Sequence, residues 1–85
     1  MKLKVKVAAA LREHLPASLE VTKGRLTLEV AEHITPAEVI KLLNIPSDKR
    51  LMVIVDDTMV PRSDYDSLSL KPEQSISLNP PIQAG

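Results

Sequence analysis

Cysteine is absent from the 85 residues, and a single aromatic side chain, Tyr65, is present. The first absence excludes a disulfide scaffold, an iron–sulfur cluster, a cysteine zinc site and a cysteine nucleophile. The second excludes a base-stacking platform for single-stranded nucleic acid, which needs several aromatic faces. Glycine occurs only at Gly24 and Gly85, too few for a phosphate-cradling loop. Neither sign of charge is in excess. Eleven basic and eleven acidic residues sum to zero with neutral histidines, which argues against a dedicated nucleic-acid binder. No apolar run approaches the roughly 20 residues that a membrane span needs. Met1 to Ala10 alternates lysine with apolar residues and so lacks the apolar core of a signal peptide. The expectation is a cytoplasmic protein with neither membrane nor nucleic acid as partner.

What is present is an ordinary globular composition, 44% hydrophobic and 26% charged, at a length that suits one domain. The core must come from Leu, Val, Ile, Met and Ala. Leu3, Val5 and Val7 alternate with Lys2, Lys4 and Lys6, the period of a half-buried strand. From Ala8 to Leu15 the alternation breaks. Leu11 and Leu15 stand four apart and Pro16 follows, which predicts a short helical turn. Residues 17–24 form a connection with Gly24 as its turn residue. Arg25 to Ala31 then alternates again, with Leu26, Leu28 and Val30 inward, predicting an antiparallel partner for the first strand.

The strongest local signal is Thr35-Pro36-Ala37-Glu38. Threonine at the N-cap, proline at the first helical position and glutamate three residues on compose a capping box. Val39, Leu42 and Leu43 give the helix an apolar stripe with Ile40 beside it. Pro46 ends it near Asn44, so about ten residues are helical and depend on packing against a sheet. Leu51 to Val55 is apolar throughout and reads as a central strand covered on both faces, with Met52 and Ile54 opposite Leu51, Val53 and Val55. Asp56-Asp57-Thr58 reads as a turn and Met59-Val60-Pro61 as a short edge strand. Leu68 and Leu70 are expected core anchors. Lys71-Pro72-Glu73-Gln74 is a turn with proline in second place, and Ile76 and Leu78 mark a last strand. This order predicts an α+β fold, a mixed sheet of four to five strands with one main helix packed on one face.

Ala9-Ala10-Leu11-Arg12-Glu13-His14-Leu15-Pro16 after a lysine-alternating strand resembles the start of the small subunit of molybdopterin synthase. Asp57 with Met59-Val60-Pro61 is similar to that family's third and fourth strands. Lys71-Pro72-Glu73-Gln74, an alternating strand and Pro80-Pro81 resemble its closing segment. The resemblance spans essentially the whole chain. It implies the ubiquitin-like β-grasp fold, shared with the thiamine-pathway sulfur carrier, which usually lacks the Leu-Arg-Glu turn. It divides the chain into a domain over 1–79 and a flexible tail over 80–85. One position departs: the family ends in Gly-Gly, and this chain in Ala84-Gly85.

The tail carries the implied chemistry. No side chain from Gln74 to Gly85 is charged. Six residues from Pro80, if extended, reach roughly 18 to 20 Å. Pro80 and Pro81 stiffen the base, and Ile82, Gln83 and Ala84 lead to Gly85, an arm able to enter a narrow site on another protein. The resemblance implies that an E1-like adenylating enzyme activates the Gly85 carboxylate with ATP and Mg²⁺, and that sulfur transfer then gives a thiocarboxylate. The thiocarboxylate would act on a pterin precursor held by the synthase large subunit, in molybdenum cofactor biosynthesis. On this reading the carrier binds no cofactor of its own and is no enzyme by itself. The Ala84 methyl would cost about 1 to 3 kcal/mol in a tight channel and little in a looser one.

Two other readings stand beside this one. Met52 and Ile54 would be partly exposed if the helix covers a single face, and would then suit a ubiquitin-like module that binds without covalent chemistry. A carrier for another thiolation or conjugation route, including thiamine, is the third. Lys2, Lys4 and Lys6 form a basic stripe that discourages sheet aggregation or matches an acidic partner. His14 and His33 lack companions for a metal site, and Asp56, Asp57, Asp64 and Asp66 read as turn residues.

Overall fold

The computed structural model describes residues 1–46 and 51–80. Five strands occur: β1 (Lys2–Val7), β2 (Arg25–Glu29), β3 (Met52–Val55), β4 (Thr58–Val60) and β5 (Ser75–Asn79), with one α-helix, α1 (Pro36–Leu42). Short 3₁₀ turns cover Ala9–His14 and Arg62–Asp64. The strands form one sheet in the order β2-β1-β5-β3-β4. β1 runs parallel to β5, and the β1–β2, β3–β4 and β3–β5 pairs are antiparallel. A five-stranded mixed sheet with one main helix is the β-grasp arrangement.

The register explains why this order buries one face. Val5 stands opposite Leu26 on one side and Ile76 on the other, and Val53 opposite Leu78 and Val60. Each row therefore places apolar side chains together, and a slip by one residue would turn all of them to water. Leu3, Val39, Leu43, Val53, Ile76 and Leu78 have no exposed surface. Burial of each such side chain contributes about 1.5–3 kcal/mol.

The capping box forms as the sequence predicts. The Glu38 N–H donates to Thr35 Oγ1 at 3.4 Å, and the Thr35 N–H to Glu38 Oε1 at 3.2 Å. The helix stops after seven residues rather than ten. Asn44 takes a left-handed φ of 59°, its N–H donates to the Lys41 carbonyl, and the Ile45 N–H reaches back to that of Ile40. This is a Schellman stop, with asparagine in the place glycine usually takes.

Several expectations need correction. Leu42 is 52% exposed, because Val39 and Leu43, four apart, set the buried line of α1 and leave Leu42 on its outer flank. Leu68 is 36% exposed, and Leu70 alone anchors its segment, with its N–H on the Ile34 carbonyl at 2.8 Å. β3 is an interior strand, bonded to β4 and β5, but the middle of the sheet belongs to β5. β3 is covered on one face only: Val53 and Val55 are buried, Met52 and Ile54 half-buried. β2 ends at Glu29, and Thr58 belongs to β4 rather than to the turn. The β3–β4 loop is the two residues Asp56 and Asp57, with φ of 47° and 68°, the left-handed pair that a tight hairpin requires.

Candidate functional site

Alternation along each strand leaves every second side chain on the face away from the core. From one edge to the other this open face presents Arg25, Thr27 and Glu29 on β2, Lys2, Lys4 and Lys6 on β1, Ser75, Ser77 and Asn79 on β5, Met52 and Ile54 on β3, and Met59 on β4. Its chemistry is graded: basic at β1 and β2, hydroxylic in the middle, apolar at β3 and β4.

The structure brings Met52 and Ile54 together as the sequence predicts and adds Met59, which the sequence places on an edge strand but not in this patch. Met59 pairs with Ile54 and is 59% exposed. A two-residue reading of the Asp56-Asp57 loop would have found it, since that loop sets Val55 against Thr58 and hence Ile54 against Met59. Methionine is flexible and polarizable, and suits a surface that must fit a partner.

β5, in the middle of the sheet, runs up to the residues that the sequence predicts as the tail. Asn79 stands opposite Met52, and the Ala8 N–H donates to the Leu78 carbonyl at 3.0 Å. Pro80 follows, exposed. The tail root therefore lies between the start of the first 3₁₀ turn and the first residue of β3, next to the apolar half of the open face. In that turn Leu11 is buried and Arg12 Nε donates to the Val7 carbonyl at 3.3 Å. Of the predicted tail residues, Pro81, Ile82, Gln83, Ala84 and Gly85 lie outside the described residues.

The remaining polar candidates have local roles. Asp56 Oδ1 accepts from the Ser75 N–H at 2.9 Å, tying the hairpin to β5. His33 Nδ1 lies 3.0 Å from Ser69 Oγ. His14 Nε2 lies 3.6 Å from a Glu13 carboxylate oxygen, beyond hydrogen-bond reach, and is buried without a partner. Tyr65 donates its hydroxyl to the Leu51 carbonyl at 2.9 Å, and its own carbonyl accepts from the Ala37 N–H. Among the described residues no group of three His, Asp or Glu is placed to hold a metal ion, and no helix is long and apolar enough to cross a membrane.

A family model described as the ThiS family matches residues 5–85. No curated protein and no solved structure matches the chain. The match takes in the second half of β1, the other four strands, the helix and the tail positions, and the fold is the one this family shares with ubiquitin; the chain belongs to the ThiS family of small sulfur carriers.

Proposed function

We propose that this sulfur carrier works through the carboxylate of Gly85 and supplies sulfur for molybdopterin. A carboxylate is a poor acyl donor, since its leaving group would be oxide. In the proposed route one carboxylate oxygen attacks the α-phosphorus of ATP on an E1-like enzyme, with Mg²⁺ on the phosphates, and pyrophosphate leaves. A hydrosulfide-equivalent sulfur then attacks the acyl carbon of the adenylate, AMP departs with the bridging oxygen, and a thiocarboxylate remains. Its sulfur is the nucleophile toward a pterin precursor on the synthase large subunit. The observation that carries this reading is the tail root: an uncharged segment leaves the central strand beside Met52, so one partner can grip the apolar half of the face and draw in the tail. The Leu11-Arg12-Glu13 turn favours the molybdopterin route over the thiamine one.

A non-covalent binding module is favoured by one observation, the apolar patch of half-buried Met52 and Ile54 beside exposed Met59. Intact mass spectrometry after incubation with the adenylating enzyme, ATP, Mg²⁺ and sulfide separates the two. The carrier is expected to gain the mass difference between sulfur and oxygen, and a chain lacking Gly85 to gain none. A shortened chain that is thiolated as well as the full one would overturn the proposal. A complex with the enzyme that Met52→Asp weakens but loss of the tail leaves unchanged, with no thiolation, would favour the binding module.

A further inference from the structure

The basic half of the open face is more than scattered lysines. Lys6 stands directly opposite Arg25, a like-charge cross-strand pair of the kind that costs stability. One row away Lys2 faces Glu29, an opposite-charge pair. Lys4 lies between Thr27 on β2 and Ser75 on β5. Lys4, Lys6, Thr22, Arg25, Thr27 and Ser75 line a cleft of about 480 Å³, and no carboxylate lines it. Among the described residues no carboxylate makes an ion pair with these cations. Ammonium and guanidinium groups donate and never accept, so the cleft complements oxygen anions. The strand positions of the open face carry four cations, Lys2, Lys4, Lys6 and Arg25, against Glu29 alone. That face is therefore +3 in a chain whose total is zero, and the remainder is −3.

We propose that Lys4, Lys6 and Arg25 form a docking surface for an acidic patch on the adenylating enzyme that receives the tail. This rests on the carrier reading above. The occupant is a protein surface because the basic cleft is continuous, through Ser75 and Ser77, with the apolar residues beside the tail root, and one partner lying across the sheet meets both. The charges steer the encounter and set the orientation, while Met52, Ile54 and Met59 supply the contact that persists.

The test follows association of the full-length carrier with its adenylating enzyme by biolayer interferometry over a range of salt. For the Lys6→Glu/Arg25→Glu variant the association rate at low salt is expected to fall by about tenfold or more, with a flatter salt dependence. Lys41→Glu, exposed on α1, should change neither. Lys6→Gln/Arg25→Gln keeps the effect readable, in the same direction and smaller, if charge reversal disturbs folding as judged by thermal melting. Rates and salt slopes equal to those of the unmodified chain would overturn the proposal. So would inorganic pyrophosphate at micromolar concentration shifting the Lys4, Lys6 and Arg25 amide resonances of the free carrier, since the cleft would then be a small-anion site. Loss of Gly85 is expected to abolish adenylation yet keep the salt-dependent association. Adenylation that survives that loss refutes the carrier reading, whatever the charge variants do.

Discussion

At the residue scale the positions that matter most are those where the backbone leaves little choice. Lys23 and Gly24 both take positive φ, 53° and 76°, in the tight turn closed between Thr22 and Arg25. The Gly24 carbonyl accepts from the Val7 N–H at 2.7 Å. A Cβ on Gly24 would come within 2.9 Å of the Val7 carbonyl oxygen and would collide with the Arg12 guanidinium. The arginine can move, but the backbone oxygen can do so only by loosening β1. Gly24→Ala is therefore expected to cost about 1–3 kcal/mol, read as a lower urea midpoint with an unchanged slope. The sequence marked Gly24 as a turn residue but could not show why no other residue fits, because the obstruction comes from Val7 and Arg12, far away along the chain.

At the element scale the helix shows what periodicity can and cannot decide. Thr35, Pro36 and Glu38 announce its start because a cap is built from neighbours in sequence. Its stop is also local, yet the sequence places it late, because Asn44 in a left-handed conformation looks like any helical asparagine until its hydrogen bonds are seen. The stripe Val39, Leu42 and Leu43 holds three apolar residues on an arc wider than the sheet can cover, and only the packing reveals which one is left outside. Leu43→Ala should cost about 2–5 kcal/mol, whereas Leu42→Ala should stay within about 0.5 kcal/mol. Chemical denaturation of the two variants side by side checks both numbers. β3 and β5 make a similar point. An uninterrupted apolar run suggests a central strand, yet a central place means only that backbone partners lie on both sides. β5, with Ser75, Ser77 and Asn79 at alternate positions, meets that condition as well as any apolar strand.

At the scale of the whole molecule, the order of elements was legible because each has its own local pattern. The sheet order was not, since it depends on the parallel meeting of β1 and β5, the first and last strands, which no local signal encodes. The open face was half legible. Alternation alone told that Lys2, Lys4 and Lys6 share a side and that Met52 and Ile54 share one. That both groups and the tail root lie on a single surface needed the register. The cost of Ala84 at the tip belongs to the fit between tail and partner.

The place of β5 has a mechanical consequence. On the proposed route a segment drawn into a partner would pull on the body it hangs from, and the pull would enter a strand bonded to β1 along one side and to β3 along the other. Tension along the strand loads those bonds together, in shear, whereas the edge strand β4 could be peeled away bond by bond. Force spectroscopy with one handle beyond Pro80 and the other at Met1, compared with handles that unzip β4, should show the higher rupture force for the first. On that route the body would serve as a fixed anchor while its end is hauled taut.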